Sequence, residues 1–267
     1  MKIADVHAHV FPEKIAEKAS ASIADFYHWK IERPASMESL IRYEKEADIS
    51  RFVISSSAVT EKQVASLNTF IASEAAKHPE CLGFGSIFPG MDGYEQELDR
   101  MLELGLRGIK IHPDFQKVNI DDERGIGTYQ AIAKRGLPVL FHMGDCRDDF
   151  SSPERLTNLL RRVPDLRVIA AHFGGWTVWE RSYEHPQPQS VMYDTSSTLT
   201  MVDRELVLRM IDRFGAERCM FGTDYPMWEP KKIVEETLAL GLDESTREKL
   251  FYGNFMRYFG LSDDETV

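Results

Sequence analysis

Short apolar runs alternate with segments of helical periodicity along almost the whole chain, and this alternation restricts the fold more than any other feature. Eight apolar runs predict strands at residues 2–10, 51–57, 81–88, 106–112, 137–142, 166–172, 191–197 and 218–224. Helices are predicted after these strands, at residues 36–47, 61–77, 94–104, 128–135, 153–163, 176–183, 203–214, 230–240 and 244–259, and residues 12–30 are predicted to be helical or irregular. Most of the strands are apolar throughout, which is typical of a parallel sheet that is covered on both faces.

Eight strand–helix repeats in a chain of 267 residues favour an α/β fold of the (β/α)8 or TIM-barrel type. Such a fold has a parallel eight-stranded barrel with outer helices, and it typically takes about 250 residues. An open doubly wound sheet is the alternative, but no Gly-x-Gly-x-x-Gly sequence follows the first strand. Because there is no linker or low-complexity tract, residues 1–267 are predicted to form a single domain.

The charge and the cysteine content disfavour several classes of protein. A formal net charge of −11 argues against binding to nucleic acid or to an anionic membrane, because both need basic surfaces. The three cysteines have no paired spacing, which is typical of reduced thiols in a cytoplasmic protein. Without an apolar N-terminal signal or a run of about 18 apolar residues, we expect no secretion signal and no membrane span.

Histidines concentrate where the predicted strands end. Five of the eight lie there: His7, His9, His112, His142 and His172. Side chains alternate along a strand, so His7 and His9 share a face with Asp5 and can reach one metal ion. The alternative is that this pair is accidental or structural. Because the active sites of (β/α)8 barrels lie at the carboxyl ends of the strands, the wider distribution of histidines favours the metal.

Six segments in order along the chain resemble a known family. They are residues 5–9 (Asp-Val-His-Ala-His), 108–113 (Gly-Ile-Lys-Ile-His-Pro), 138–145 (Pro-Val-Leu-Phe-His-Met-Gly-Asp), 170–175 (Ala-Ala-His-Phe-Gly-Gly), 221–226 (Phe-Gly-Thr-Asp-Tyr-Pro) and 252–260 (Tyr-Gly-Asn-Phe-Met-Arg-Tyr-Phe-Gly). Together they resemble the amidohydrolase superfamily, within the branch of small single-domain enzymes that includes aminocarboxymuconate semialdehyde decarboxylase.

The resemblance implies one divalent metal ion held by His7, His9, His142 and Asp224. Zn²⁺ is expected first, with Mn²⁺, Fe²⁺ and Ni²⁺ as alternatives. Three imidazoles and one carboxylate would leave the ion with a net positive charge, which acidifies bound water. His142 could instead be a core histidine bonded to a carbonyl, and Asp224 could be a helix cap. The resemblance also implies a catalytic role for His172, as an acid/base or electrostatic group, and Asp224 is predicted to share in catalysis. If His172 were a ligand instead, the site would be binuclear.

Four residues are predicted to bind substrate: Lys110, His112, Arg147 and Trp176. Some branches of the superfamily bridge two metals with a carboxylated lysine at the position of Lys110. We favour an ordinary ammonium there, which holds a substrate carboxylate or pairs with Asp145 or Glu123. Other aromatic residues could cradle a planar acid, although packing is the commoner role of such loop residues: Trp179, Tyr225 and Trp228.

The expected function is metal-dependent hydrolysis of a small carboxylated or cyclic amide, lactone or ester. The alternative is non-oxidative decarboxylation by a carboxy-lyase that uses the same mononuclear site. A non-catalytic barrel that keeps its metal for structure or binds a small acid is the third option, and a phosphodiesterase or nuclease is a more distant one. The expected partner is a small carboxylate, with no nucleic acid and no membrane, and a homodimer is left open.

Overall fold

The computed structural model describes residues 1–262, and it contains a strand at the position of every predicted strand. The strands are β1 (Ala4–His9), β2 (Arg51–Ser55), β3 (Cys81–Ser86), β4 (Gly108–Ile111), β5 (Val139–Phe141), β6 (Val168–Ala170), β7 (Met192–Asp194) and β8 (Cys219–Met220). All eight end earlier than predicted. His112, His142, His172 and Asp224 consequently lie just beyond the strands, in the connecting segments.

Twelve α-helices separate and follow the strands in the described part of the chain. They are α1 (Glu13–Tyr27), α2 (Met37–Glu46), α3 (Glu61–Ala75), α4 (Tyr94–Glu103), α5 (Pro113–Gln116), α6 (Glu123–Lys134), α7 (Pro153–Arg162), α8 (Trp179–Glu184), α9 (Arg204–Phe214), α10 (Pro230–Ala239), α11 (Glu244–Glu248) and α12 (Asn254–Phe259). All strands join one sheet in the order β1 to β8. Sequential strands that alternate with helices have the topology of a (β/α)8 barrel, as predicted.

Three helix predictions were wrong in detail. The short helix α5 was missed, because Pro113 was interpreted only as the end of a strand, whereas proline also suits the first turn of a helix. Helix α6 begins five residues before the predicted start, where the Asp122 carboxylate accepts a hydrogen bond from the Arg124 amide. The helix predicted at residues 244–259 is interrupted by a π-helical turn at Lys249–Gly253.

The chain forms two compact units. The first contains residues 1–54 and 78–82 and the chain from Thr195 onward, and the second contains residues 55–77 and 83–194. Within the second unit, β4 pairs in parallel with β5, and Lys110 is opposite Leu140. Within the first, a parallel bridge joins Ala8 of β1 to Tyr225 after β8. The single-domain assignment stays a prediction.

None of the helices in residues 1–262 has the length and apolar composition needed to cross a bilayer. The cytoplasmic location stays a prediction.

Candidate active site

Three predicted metal ligands lie together in the first unit. The Nε2 atoms of His7 and His9 are 3.1 Å apart. The Asp224 Oδ1 atom lies 3.5 Å from His7 Nε2 and 3.4 Å from His9 Nε2. His7 is buried, and the side chains of His9 and Asp224 are each 14% exposed, so the cluster is accessible from one side.

The spacing of these three donor atoms fits a divalent metal ion. A point equidistant from three atoms at these separations lies about 1.9 Å from each of them. Metal–nitrogen and metal–oxygen bonds are about 2.0–2.2 Å long, so an ion would sit slightly to one side of the plane of the donors. Two imidazoles and one carboxylate on one face of an ion are a donor set that Zn²⁺ and open-shell divalent metals accept.

Backbone hydrogen bonds join the two segments that carry these ligands. The Asp224 amide donates to the His7 carbonyl at 2.8 Å, and the His9 amide donates to the Tyr225 carbonyl at 2.8 Å. The buried Asp5 carboxylate strengthens this connection, because it accepts from the His7 amide at 2.8 Å and from the Thr223 amide at 3.0 Å. The Thr223 hydroxyl donates to the second carboxylate oxygen, Asp5 Oδ2, at 2.5 Å. Asp5 therefore holds the β1 and β8 ends in register.

Asp5 shares its environment with a second buried carboxyl group, that of Glu44 on α2. Burial raises the pKa of Asp5 to about 7, against the hydrogen bonds from Thr223 and His7 that lower it. Burial also raises the pKa of Glu44 well above its ordinary range, and the nearby charge of Asp5 raises it further. Because two adjacent buried carboxylates repel each other, the neutral form of Glu44 is favoured.

Two serines after β7 contact the metal-ligand cluster, and the sequence analysis gave neither of them a role. The Ser196 hydroxyl lies 2.9 Å from His7 Nδ1. A hydrogen on Nδ1 that is donated to this oxygen leaves Nε2 with the lone pair that a metal needs. The Ser197 hydroxyl donates to Asp224 Oδ2 at 2.5 Å and accepts from Trp228 Nε1 at 2.8 Å. The polar run at residues 195–198 was the only sequence signal for these contacts.

The predicted ligand His142 and the predicted catalytic residue His172 lie together in the second unit. His172 Nε2 is 3.0 Å from His142 Nδ1, and both side chains are buried. The His172 amide donates to Asp194 Oδ1 at 2.9 Å, which anchors the short 3₁₀ turn that begins there. This hydrogen bond places the imidazole of His172 against His142, whose role as a metal ligand stays a prediction.

Aromatic stacking fixes the orientation of His142 and His112. The ring centroids of these two histidines are 3.9 Å apart with an interplanar angle of 11°, and Phe115 stacks on His112 at 3.7 Å. Asp114 Oδ2 lies 3.8 Å from His142 Nε2. Burial raises the pKa of Asp114 to about 7, and the nearby negative charge of Asp145 raises it further. The nitrogen lone pairs of His112 and His142 lie in the planes of their rings. Because these planes are nearly parallel, the lone pairs do not converge on one point, so His112, Asp114 and His142 form a poor metal site. The sequence analysis missed Asp114.

The predicted substrate-binding residues of the second unit differ in exposure. The side chain of Lys110 on β4 is fully buried. Arg147 is 37% exposed and pairs with Asp145 at 2.6 Å, while its guanidinium lies 5.7 Å from the Trp176 ring centroid. Trp176 also lies beside His142, with ring centroids 6.1 Å apart. The pairing with Asp145 reduces the net charge that Arg147 offers to a substrate.

The remaining carboxylate and aromatic residues have structural contacts. Glu123 pairs with Arg162 at 2.7 Å. Trp179 is buried in α8, and the Tyr225 hydroxyl donates to the Pro34 carbonyl at 2.7 Å. Packing, the alternative weighed for these aromatic residues, accounts for Trp179 and Tyr225.

A barrel topology with histidine and carboxylate groups beyond its strand ends is the architecture of a large class of metal-dependent enzymes. A sequence model described as Amidohydrolase matches residues 4–261. The chain therefore belongs to the amidohydrolase family, and the resemblance found in the sequence is confirmed.

The chain is also similar to a named relative and to solved structures. The 2-amino-3-carboxymuconate-6-semialdehyde decarboxylase of Dictyostelium discoideum is 24% identical over an alignment of 243 residues, which covers 74% of this chain and 67% of the relative. A TIM-barrel protein of Bordetella bronchiseptica superposes with a TM-score of 0.75 at 20% identity, over 97% of this chain and 99% of the other. A dihydroxybenzoic acid decarboxylase of Polaromonas sp. JS666, with bound manganese and the inhibitor 2-nitroresorcinol, gives a TM-score of 0.74 at 17% identity. This superposition covers 100% of the present chain and 99% of the decarboxylase chain. The two solved structures confirm the predicted fold.

Proposed function

We propose that this protein is a metal-dependent, non-oxidative decarboxylase of small aromatic or conjugated carboxylic acids. The observation that carries the proposal is the convergence of the donor atoms of His7, His9 and Asp224 within 3.5 Å of one another. The similarity to decarboxylases favours this reaction over hydrolysis, which the sequence analysis had placed first.

His7, His9 and Asp224 would hold one divalent ion, with His142 as the predicted fourth ligand. A bound ion supplies positive charge that attracts and orients the oxygen atoms of a carboxylated substrate. The protein contributes the fixed ring of His7, through Ser196, and the carboxylate of Asp224, through Ser197. This donor set fits both the predicted Zn²⁺ and the Mn²⁺ present in the Polaromonas structure.

His172 is the proposed proton donor. When a carboxylate leaves as CO₂, its electron pair stays on the carbon, so one proton must be delivered there to give the product. Imidazole is well suited to this task because its charge changes near neutral pH. The contacts of His172 with Asp194 and His142 restrict both its backbone and its ring. Asp224 is proposed to assist catalysis through its charge as well as by ligation.

The substrate-binding proposal includes Lys110, His112, Arg147 and Trp176. The half-buried indole of Trp176 suits contact with a planar ring, and Arg147 lies over the same indole. Lys110 is buried, so we expect it to contribute positive charge from within the fold and not to bind the substrate at the surface.

Purified protein loaded separately with Mn²⁺ or Zn²⁺ would test the proposal against a panel of hydroxybenzoic acids, conjugated diacids and lactones. The assay records both CO₂ release and the appearance of new carboxylate. We expect CO₂ from at least one acid, and no activity after His9→Ala. New acid from lactones without CO₂ from any substrate would overturn the proposal and favour hydrolysis.

A further inference from the structure

We propose that Ser197 and Trp228 are positioning residues that determine which oxygen of Asp224 faces the two histidines. This inference rests on the proposed metal centre and goes beyond it, because it assigns a role to residues that are not ligands. The three side chains form one hydrogen-bonded series, in which Trp228 Nε1 is 2.8 Å from Ser197 Oγ and Ser197 Oγ is 2.5 Å from Asp224 Oδ2.

The chemistry of the indole fixes the direction of these hydrogen bonds. An indole N–H can only donate, so Ser197 Oγ must accept from Trp228. The single hydroxyl hydrogen of Ser197 is then directed to the Asp224 carboxylate. The hydrogen bond to Oδ2 is charge-assisted, and such bonds are about twice as strong as neutral ones. This hydrogen bond keeps Asp224 Oδ2 directed toward Ser197. The other carboxylate oxygen, Oδ1, is then the one that lies 3.4–3.5 Å from the Nε2 atoms of His9 and His7.

The backbone at both ends of the Ser197–Asp224 hydrogen bond is unusual. Ser197 has φ = 56° and Asp224 has φ = 61°, in the left-handed region that residues other than glycine rarely adopt. Such conformations are strained and persist only where surrounding contacts enforce them. The hydrogen bond between the two side chains is one such contact. The strained backbone therefore lies at Ser197 and Asp224, the two residues whose hydrogen bond orients the Asp224 carboxylate.

Trp228 is itself held in place. Its ring is buried and meets Trp29 edge to face, with ring centroids 5.2 Å apart. Arg33 donates to the carbonyls of Pro226 at 3.3 Å and Met227 at 3.1 Å, in the segment that joins Asp224 to Trp228. The indole N–H is therefore a fixed donor, and its position is transmitted to the carboxylate through one hydroxyl group.

The test measures the dissociation constant for Mn²⁺ or Zn²⁺, by competition with a chromogenic chelator, in four variants. Ser197→Ala removes the hydroxyl, Trp228→Phe removes the N–H but keeps an aromatic ring, and the double variant removes both. Thr200→Ala is the matched control, because this half-buried hydroxyl has no hydrogen-bond partner among the described residues. The melting temperature of each metal-free variant is measured in parallel.

We expect Ser197→Ala to weaken metal binding about 10- to 100-fold, as is typical when a group that orients a ligand is lost. Trp228→Phe should weaken it less, because the serine hydroxyl remains. The double variant should match Ser197→Ala, because the indole acts only through the serine. Thr200→Ala should bind as the wild type does.

Several results would overturn the inference. The first is an unchanged affinity for metal in Ser197→Ala, and the second is a loss of affinity in the double variant that equals the sum of the two single losses. The third is a loss of affinity that parallels the drop in metal-free melting temperature in every variant, including Thr200→Ala. If the wild type binds no metal, the proposed function fails separately. Crystal structures of metal-free wild type and Ser197→Ala would then still decide the positioning role, since an unmoved Asp224 side chain would refute it.

Discussion

His9→Ala is the most direct test of the candidate metal centre. His9 supplies one of the three convergent donor atoms, and its removal leaves only His7 Nε2 and Asp224 Oδ1 in the cluster of the first unit. The His9 side chain is 14% exposed whereas that of His7 is 1% exposed. Solvent can therefore occupy the space left by His9, which makes it the better probe of metal binding.

The expected magnitude follows from mass action. An ion that binds only the folded state stabilises it by about 2.7 kcal/mol when its free concentration is 100 times the dissociation constant. For a chain of this size, 1 kcal/mol corresponds to about 2–4 °C in melting temperature. We therefore expect wild-type protein to melt about 5–11 °C higher when loaded with metal than when treated with chelator. We expect His9→Ala to show almost none of this difference.

The assay compares each variant with itself, with and without metal, so that the cost of truncating the side chain cancels. Calorimetry gives the melting temperatures, and elemental analysis of the desalted protein gives the metal content. His78→Ala is the control, because His78 lies outside the cluster and pairs with Glu80. Full metal content together with an undiminished melting shift in His9→Ala would refute the argument from donor geometry.

Three further predictions concern other groups. His172→Asn should keep the metal and the melting temperature but reduce turnover by roughly 10²–10⁴-fold, measured with any substrate found, whereas parallel loss of metal would make His172 a ligand. Glu44→Gln should gain stability relative to wild type as pH rises. The pKa of Glu44 is higher in the folded state than its unfolded value near 4.5. The wild type therefore loses stability as pH rises above 4.5, and the loss continues until the pH passes the pKa of the folded state. Urea unfolding with chelator at pH 5 and pH 8 measures this effect, and the exposed Glu46→Gln on the same helix should show none. Thr223→Val removes the hydroxyl donor to Asp5 and should cost about 1–3 kcal/mol of unfolding free energy in urea, and an unchanged value would contradict the proposed role of this contact.

The eight strands were predictable because most of them are continuous apolar runs, and burial on both faces of a sheet requires that pattern. The positions of His7 and His9 follow from local alternation along one strand, so the sequence also predicts that their rings meet. Ser196 illustrates what the sequence could not provide. Its partner His7 is 189 positions away, and nothing in a serine-rich segment identifies which hydroxyl will contact an imidazole.

Lys110 shows a different limit. Lys110 is predicted to be an ordinary ammonium, and burying such a charge is costly. The structure nevertheless buries this side chain completely on β4. The neighbouring segment was misjudged for a local reason, because Pro113 can end a strand and begin a helix, and only the hydrogen bonds of α5 distinguish these roles.

Eight residues other than glycine have left-handed backbone in the described part of the chain, and three of them belong to the candidate site. His28 and Lys117 have positive φ because they end helices α1 and α5, where this conformation is common. His172, Ser197 and Asp224 also have positive φ, yet none of them ends an α-helix. Each of these three is instead held by a hydrogen bond to or from a carboxylate, and each belongs to a cluster of histidine and acidic side chains. Strain of this kind persists only where surrounding contacts enforce it, and a carboxylate takes part in one such contact at each of these three positions. The same three residues are the proposed proton donor, the proposed positioning residue and the proposed carboxylate ligand.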